Sequence, residues 1–280
     1  MRKRIAIITG AGGGIGKAFT RLMVKEDVDE VWVVGRNQQK LAALKDELGD
    51  KLVIVIKDLS KLSELCQIEE MLKEKKPIIA YLINNAGMAK MGSYKEFAVE
   101  EIDSTINVNC KAPVILSTLC IPYMEKGSRI LNISSASAFQ PNPYINLYAA
   151  SKAFERSYSR ALNMELRSLG ITATAVCPGW VDTELLVKEI NGIQVKFPGI
   201  VSAKEVAVKA MKDAKKGRDM SVCSFYVKCQ HLSVKLMPQK WAMKLWMKGI
   251  KSIYRRRGNH VKNQILSGRV NLVFLYDIVF

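Results

Sequence analysis

The amino-acid sequence predicts a doubly wound α/β fold, in which a single parallel sheet carries helices on both faces. Apolar segments rich in Val and Ile alternate with helical stretches along most of the chain, which is typical of strands buried on both sides of a parallel sheet. A glycine cluster directly follows the first apolar segment and leads into a helical pattern. The length of 280 residues and the hydrophobic content of 49% suit one domain with a large core.

The predicted strands share an apolar, β-branched composition, and a helical stretch follows each of them. They lie near residues 4–9, 30–34, 52–57, 79–83, 128–134 and 171–176. The sequence contains no internal repeat or low-complexity linker. We therefore expect residues 1–222 to form one α/β domain and residues 223–280 to form a basic C-terminal extension.

The glycine cluster runs from Thr9 to Gly16, immediately after the first predicted strand. Glycine has no Cβ, so the backbone can approach a pyrophosphate closely. The helix that begins near Ile15 would direct unpaired N–H groups toward the phosphate charge. A strand, a glycine turn and a helix in this order predict a dinucleotide site. The residues predicted to contribute are Gly10, Gly12, Gly14, Ile15 and Gly16.

The end of the second predicted strand indicates which dinucleotide is bound. An acidic side chain there would bind the ribose hydroxyls of NAD, whereas an arginine can pair with the 2′-phosphate of NADP. Gly35 has no carboxylate, and Arg36 supplies a cation. NADP is therefore favoured over NAD. The alternative, that Arg36 only caps a solvated turn, stays open.

A second constellation suggests chemistry on a carbonyl group. Tyr148 and Lys152 are four residues apart in a helical segment, so both side chains lie on one face. The lysine ammonium favours the phenolate and would lower the pKa of Tyr148. Ser135 lies thirteen residues upstream and supplies a hydroxyl. An acid, a cation that tunes it and a hydroxyl are the groups needed to reduce a carbonyl.

These segments resemble the short-chain dehydrogenase/reductase family. The family motif TGxxxGxG matches Thr9 to Gly16, and its YxxxK motif matches Tyr148 to Lys152. Further similarity lies in Asn84-Asn85-Ala86-Gly87, Val108-Asn109, Ile133-Ser134-Ser135 and Pro178-Gly179-Trp180-Val181-Asp182-Thr183. The motifs are in the family's order and span about two thirds of the chain. The resemblance implies a Rossmann-type catalytic domain and a dehydrogenase acting on CH–OH groups.

The resemblance also implies roles for particular residues. Tyr148 would donate a proton to the carbonyl oxygen, and Ser135 would hydrogen-bond the same oxygen. Lys152 would also reach the ribose hydroxyls of the cofactor, and Asn109 would hold a water that links Lys152 to solvent. The other cofactor contacts implied are Asp58, Leu59, Asn85, Ala86, Gly87, Pro178, Gly179, Val181 and Thr183. Family members usually assemble through the helices that carry Asn109 and Tyr148, so we expect a homo-dimer or homo-tetramer.

Substrate preference is indicated by the segment that follows Thr183, at about residues 184–201. Its apolar residues are Leu185, Leu186, Val187, Ile190, Ile193, Val195, Phe197 and Ile200. Such a lid implies a hydrophobic substrate. The overall pattern looks most similar to hydroxysteroid dehydrogenases and long-chain 3-oxoacyl reductases. We therefore expect a ketone and a secondary alcohol to be interconverted on a steroid, bile acid or long acyl substrate. The competing hypothesis is a nucleotide-sensing binding protein without turnover.

Charge is concentrated near the C-terminus. Residues 204–269 contain 17 of the 43 Lys and Arg residues against three acidic ones, which accounts for most of the net charge of +17. A helical pattern places Lys240, Lys244, Lys248, Lys251 and Arg255 on one face, while Trp241, Met243, Leu245, Trp246, Met247, Ile250 and Ile253 fill the rest. Such a helix suits peripheral contact with an anionic membrane, and equally suits packing on the domain or on another subunit.

The basic region is also compatible with other ligands. Its cations could attract an acidic substrate, such as a coenzyme A thioester or a conjugated steroid acid. No nucleic-acid partner is expected, because the aromatic residues do not interleave with the basic face as a stacking platform would. The apolar stretch of residues 270–280 is shorter than the roughly 20 residues that span a bilayer. The role of residues 258–280 is left open.

The remaining features indicate a cytoplasmic setting, extending to the inner membrane surface. The six cysteines have no paired spacing, and the two histidines are too few for a zinc cluster, so neither disulfides nor a metal site is expected. Charged residues lead at once into the first strand, so we expect no signal peptide.

Overall fold

The computed structural model describes residues 1–184, 186, 189–190, 193–194 and 197–256. Its strands are β1 (Arg4–Thr9), β2 (Glu30–Gly35), β3 (Leu52–Ile56), β4 (Ile78–Asn84), β5 (Arg129–Ile133), β6 (Thr172–Val176), β7 (Val181–Asp182), β8 (Glu189–Ile190), β9 (Ile193–Gln194), β10 (Val201–Ser202) and β11 (Met220–Ser221). Seven of them form a parallel sheet in the order β11-β6-β5-β4-β1-β2-β3. The predicted fold class is confirmed; the short edge strand β11 was not predicted.

Nine α-helices are present in the described residues. They are α1 (Gly14–Met23), α2 (Gln38–Leu48), α3 (Leu62–Lys75), α4 (Val99–Ile106), α5 (Ala112–Cys120), α6 (Asn146–Glu165), α7 (Ala203–Lys215), α8 (Phe225–Leu236) and α9 (Gln239–Arg256). A π-helical turn over Asn107–Lys111 joins α4 to α5. Single π-helical turns of this kind often occur at functional sites.

The core consists of two apolar layers, one on each face of the sheet. Alternate residues of β1 point to opposite faces: Ala6 and Ile8 enter one layer, and Ile5 and Ile7 enter the other. Helices α1, α2 and α7 cover the first layer, while α3, α5 and α6 cover the second. Both faces of the sheet are therefore buried, which explains why the strands are mostly apolar and do not alternate between apolar and polar residues.

The strand order reverses at the centre of the sheet, because β1 lies between β4 and β2. In open α/β sheets a crevice forms at such a point, outside the carboxyl ends of the strands. The glycine cluster, Arg36, Asn85, Ser135 and Pro178 all follow strand ends on this edge. The sheet therefore gathers segments that are distant in the chain at one groove.

The C-terminal extension packs against the catalytic part of the chain. A Cβ at Gly179 would lie 2.4 Å from Cγ2 of Val227 in α8. In α9, Ala242 is buried and the Trp246 indole Nε1 donates to the Pro143 carbonyl at 2.9 Å. The division at residue 222 stays a prediction. Residues 257–280, including the expected roles of residues 258–280, lie outside the described residues.

The faces of α9 differ from the predicted separation of cations and apolar residues. Trp241 and Leu245 are 64% and 55% exposed, beside the exposed Lys240 and Lys244. The packed side consists of Ala242, Met243, Trp246 and Met247. One apolar strip of α9 is therefore packed against the domain. The second, formed by Trp241 and Leu245, is exposed among the lysines. The side chains of residues 250–256 lie outside the description. No helix in the described ranges is both long and apolar enough to cross a membrane.

Candidate active site

The glycine turn connects β1 to α1 through close backbone contacts. Gly10 has φ +65°, and its N–H donates to the Val34 carbonyl at 2.8 Å. A Cβ at Gly16 would lie 2.2 Å from the Gly10 carbonyl oxygen. Neither position can carry a side chain without moving the turn. The glycines predicted at Gly10 and Gly16 are therefore required by the geometry.

The N-terminus of α1 opens onto the groove. The helix begins at Gly14, its N-cap Gly13 provides no side-chain hydrogen bond, and its first turn holds no acidic residue. A Cβ at Gly14 would lie 2.4 Å from Cγ2 of Thr183, so this space is kept clear by glycine. The N–H groups of Gly14, Ile15 and Gly16 belong to that first turn, where uncapped donors favour an anion. The cradle fits a dinucleotide pyrophosphate.

The segment after β4 is fixed to the glycine turn. The Thr9 hydroxyl accepts from the backbone N–H groups of Asn85 and Ala86, each at 3.0 Å. The Asn85 amide donates to the Thr9 carbonyl at 3.1 Å and to the Gly10 carbonyl at 3.0 Å. These four hydrogen bonds join two strand ends across the groove and place Gly87 near Lys152, whose Nζ would lie 3.3 Å from a Cβ at Gly87.

Asn109 lies on the π-helical turn, where it is buried. Its side-chain oxygen accepts from the Met88 N–H at 2.8 Å, and its amide donates to the Met88 carbonyl at 2.8 Å and to the Ser151 hydroxyl at 2.9 Å. Both amide N–H groups are thereby used. Asn109 braces the segment after β4 against α6, and its role in holding a water stays a prediction.

The three groups predicted to act on a carbonyl converge at the end of β5. The hydroxyls of Ser135 and Tyr148 are joined by a hydrogen bond. The Lys152 Nζ lies 5.8 Å from the centroid of the Tyr148 ring. The Ser134 hydroxyl donates to the Lys152 carbonyl at 2.7 Å, which attaches α6 to the strand end. The structure therefore places the serine, the tyrosine and the lysine in one cluster.

The pKa of Tyr148 is raised above its ordinary value because burial disfavours the phenolate. The Lys152 charge and the hydrogen bond from Ser135 act in the opposite direction. The predicted lowering of the Tyr148 pKa by Lys152 is therefore present as one contribution, and burial outweighs it in the net direction. Sequence spacing identified the cation but carried no measure of how deeply the phenol would be buried.

Lys152 is itself buried and held by two acceptors. Its ammonium donates to the Ile133 carbonyl at 2.6 Å and to Oε2 of Glu155 at 2.8 Å. Burial alone would lower the pKa of Lys152, but the Glu155 carboxylate and Tyr148 raise it above its usual value. The ammonium therefore keeps its charge beside the phenol.

Sequence reasoning missed Glu155, which is 1% exposed. Burial raises the pKa of this carboxyl to about 7, against the attraction of Lys152. A signal was present, because a glutamate three residues after a lysine on a helix shares its face. The sequence alone could not distinguish this buried pair from a solvated surface pair.

The rim of the groove carries Arg36 and Asp58. Arg36 is exposed directly after β2. Partial burial alone would raise the pKa of Asp58, but hydrogen bonds from Ser60 and then the charge of Arg36 lower it. The Asp58 carboxylate accepts from the Ser60 hydroxyl at 2.8 Å, and Leu59 is buried beneath it. A Cβ at Gly12 would lie 3.2 Å from the Lys40 Cβ, so the stem of Lys40 lies beside the glycine turn.

The segment after β6 closes the groove on the other side. The Pro178 carbonyl accepts from the Ala136 N–H at 2.7 Å, directly beside Ser135. Val181 is buried in β7, and Thr183 faces Gly14. Within the expected lid, Leu186 is buried and its N–H donates to the Thr183 carbonyl at 3.1 Å. Leu185, Val187 and Val195 lie outside the described residues, as do the side chains of Ile190 and Ile193.

Comparison with known proteins agrees with this geometry. The model of the short chain dehydrogenase family matches residues 4–192. An uncharacterized oxidoreductase from Staphylococcus aureus (strain MRSA252) is 31% identical over 185 residues, which cover 65% of this chain and 80% of that protein. A similar protein from Staphylococcus epidermidis (strain ATCC 35984) is 29% identical over 187 residues, covering 66% of this chain and 81% of its own length.

Solved structures of dehydrogenases are also similar to this chain. A short-chain dehydrogenase from Sphingobium yanoikuyae in complex with NADPH aligns with a TM-score of 0.69 and 28% identity, covering 89% of this chain and 95% of its own. The closed form of a serine dehydrogenase complexed with NADP+ aligns with a TM-score of 0.58 and 34% identity, covering 64% and 74%. Because the family match covers more than half of the sequence, the chain belongs to the short-chain dehydrogenase family of oxidoreductases.

Proposed function

We propose that the chain is an NADP-dependent oxidoreductase that interconverts a ketone and a secondary alcohol on a hydrophobic substrate, with hydroxysteroids and bile acids as the first candidates. The observation that carries the proposal is the hydrogen bond between Ser135 and Tyr148, with Lys152 5.8 Å from the phenol ring. These groups stand at the end of a groove lined by glycine. A protein that only bound nucleotide would not need an acid beside a buried cation.

In the proposed reaction, negative charge develops on the carbonyl oxygen as hydride reaches the carbonyl carbon. When bound, NADPH supplies the hydride that reduces the carbonyl carbon. The Tyr148 hydroxyl donates the proton that the carbonyl oxygen needs, and the Ser135 hydroxyl orients that oxygen by a second hydrogen bond. The Lys152 ammonium stabilises the phenolate that remains after proton donation, because opposite charges at this distance attract strongly in a buried site. Oxidation of the alcohol uses the same groups in reverse.

Preference for NADP is supported by the charge at the groove rim. Arg36 follows a strand that ends without a carboxylate, and Lys40 lies near the glycine turn. Guanidinium and phosphate form strong charge-assisted hydrogen bonds. The two structural neighbours described above are complexes with NADPH and NADP+. Residues Gly14, Ile15 and Gly16 would hold the pyrophosphate, and Val181 and Thr183 would lie near the nicotinamide.

A hydrophobic substrate is supported by the walls beyond the catalytic groups. Leu186 is buried after β7, and the rings of Trp180 and Phe197 pack at 4.9 Å. The indole of Trp246 attaches α9 to the Pro143 carbonyl, in the segment between Ser135 and Tyr148. A long-chain 3-oxoacyl thioester is the second candidate, because the lysines of α8 and α9 suit the phosphates of a coenzyme A carrier.

The test is a substrate panel. NADPH oxidation is followed with steroid ketones, oxo bile acids, short ketones and 3-oxoacyl thioesters, each repeated with NADH. Steroid or bile-acid ketones should give the highest kcat/KM. For each ketone, kcat/KM should be higher with NADPH than with NADH. Preference for the thioesters would select the second candidate. Tight binding of NADPH without turnover of any ketone would instead support a nucleotide-sensing binding protein.

Contact with an anionic membrane at the cytoplasmic face is supported by the exposed side chains of the extension. Phe225, Leu232 and Leu236 of α8 are 79%, 59% and 78% exposed, and Trp241 and Leu245 of α9 are also exposed. Exposed lysines accompany them on both helices. Apolar side chains among cations are the composition that binds interfaces of anionic lipid.

Assembly into a homo-dimer or homo-tetramer is supported by exposed apolar side chains on α4 and α6. Ile102, Ile106 and Phe154 are 37%, 44% and 46% exposed. Sedimentation velocity on the parent and on Phe154→Asp tests this proposal. A lower mass for the variant is expected, and a parent that sediments as a monomer would contradict it.

A further inference from the structure

We propose that Glu155 is a positioning residue for the ketone–alcohol reaction: it holds the Lys152 ammonium in place and offsets part of the charge that Lys152 presents to Tyr148. The inference rests on the proposed function, in which Tyr148 carries the proton. It concerns a residue that lies outside the sequence motifs on which the site was predicted.

Helix α6 carries the three side chains on which the inference rests. Tyr148, Lys152 and Glu155 stand at positions i, i+4 and i+7, and therefore share one helical face. Two of the three donors of the Lys152 ammonium are used, one by the Ile133 carbonyl at 2.6 Å and one by Glu155 at 2.8 Å. The ammonium is thus fixed by the backbone on one side and by a carboxylate on the other, which leaves one donor for the groove.

Removing the Glu155 carboxylate from water costs free energy, which the pairing with Lys152 only partly offsets. The side chains of Lys152 and Glu155 are 4% and 1% exposed. Oε2 of Glu155 accepts from Lys152, whereas buried Oε1 has no hydrogen-bond partner in the part of the chain that the structure describes. Replacing a buried ion pair by apolar residues is often neutral or stabilising. A half-satisfied carboxylate beside the proton donor is therefore better explained by its charge than by stability.

The groups that face Glu155 come from three elements. Lys152 and Tyr148 lie on its own helix, Cys110 on the π-helical turn, and Cys177 directly after β6. Burial raises the pKa of Cys110 to about 11 and of Cys177 to about 12, so both thiols are neutral. Lys152 and Glu155 are thus the two members of this group that carry charge near neutral pH.

The effect on Tyr148 has a definite sign. Lys152 lowers the pKa of the phenol, whereas Glu155 raises it. Because the pKa of Glu155 is about 7, its carboxylate forms as the pH rises through neutrality and then weakens the influence of Lys152. In the presence of Glu155 the phenol therefore keeps its proton to higher pH, which favours proton donation and hence ketone reduction.

The test separates charge from packing. Glu155→Gln keeps an acceptor for Lys152 and removes the charge, Glu155→Leu removes both, and Glu165→Gln changes an exposed glutamate on the same helix. Glu155→Gln should shift the alkaline limb of the pH profile of kcat/KM for ketone reduction to lower pH by about one unit. Glu155→Leu should also raise KM for NADPH, and Glu165→Gln should change neither. An unchanged profile in Glu155→Gln overturns the proposal.

A second readout does not depend on turnover. The near-ultraviolet absorbance of the phenolate is titrated by rapid pH jump, and the signal of Tyr148 is isolated by subtracting Tyr148→Phe with the same residue at position 155. The pKa of Tyr148 should be lower in Glu155→Gln than in the parent by about one unit. Equal values overturn the inference even if ketones are reduced. A shift without any ketone turnover would remove the proposed function and the role of Glu155 in the reaction, and would leave only its effect on the charge that Tyr148 experiences.

Discussion

Asn109 clamps the backbone of Met88 in both directions, with two hydrogen bonds of 2.8 Å. Its remaining donor reaches Ser151 at 2.9 Å, three residues after Tyr148 in the chain. A single buried amide therefore couples the segment after β4 to the helix that carries the catalytic pair.

Asn109→Asp should destabilise this connection in a pH-dependent manner. The carboxylate keeps an acceptor for the Met88 N–H but loses both donors, so the free energy of unfolding should fall by about 2 kcal/mol. Protonation of the buried carboxyl restores one donor, and the loss should shrink as the pH falls from about 8 to 5. Denaturant unfolding at both pH values measures this. Asn37→Asp is the control, because the exposed Asn37 side chain accepts from the Lys40 N–H and an aspartate keeps that acceptor. An equal, pH-independent loss in both variants would contradict the clamp.

Cofactor preference should depend on Arg36. Arg36→Glu removes a cation beside the expected 2′-phosphate and adds a charge that repels it, so the Kd of NADPH should rise about 10- to 100-fold. The Kd of NADH should stay within a few-fold, because NADH lacks this phosphate. Fluorescence titration with both cofactors measures the effect. Lys25→Glu makes the same change of charge beyond the far end of α1. An equal rise in the Kd of NADPH in both variants would show that the effect comes from net charge alone.

Much of the fold and site could be predicted from the sequence, because local patterns determine them. Apolar β-branched runs specify the strands of the main sheet, and Gly10 and Gly16 are required by contacts within the turn that they form. The direction of the Tyr148 pKa could not be predicted, because burial is a property of the packed structure. The same holds for Glu155 and for Trp241, whose spacing is equally compatible with solvent and with the interior.

Acid stability should depend on Asp213. Burial alone would raise the pKa of this carboxyl, but hydrogen bonds from Lys209 and Ser221 and the charge of Arg218 lower it below the ordinary value of 3.8. Its contribution is therefore present above that value and is lost as the pH falls below it. Asp213→Asn should lower the free energy of unfolding at neutral pH by about 2 kcal/mol and flatten its acid limb.

Asp219→Asn is the matched control for that change. Its carboxylate pairs with Arg160 at 2.6 Å, but the two side chains are 41% and 51% exposed. Solvent screens such a pair, so the free energy of unfolding should change by less than about 1 kcal/mol. A larger loss of unfolding free energy in Asp219→Asn than in Asp213→Asn would contradict the larger contribution assigned to Asp213.

Membrane contact should depend on the exposed strip of α9. Replacing Trp241 and Leu245 by serine should weaken co-sedimentation with anionic vesicles about tenfold or more, because two apolar side chains no longer enter the interface. Met164 and Leu169 are 62% and 55% exposed on the catalytic part, close to the 64% and 55% of the α9 pair, and their double serine variant is the control. Equal binding by both variants would favour the alternative that α9 serves only for packing.

The most direct measurement is turnover by Tyr148→Phe with the ketone that the parent reduces best. Phenylalanine keeps the ring beside Lys152 and removes only the hydroxyl that donates the proton. We predict that kcat falls about 10²- to 10⁴-fold, while the Kd of NADPH stays within a few-fold. A kcat within a few-fold of the parent would show that another group delivers the proton, and would remove the basis of the proposed mechanism.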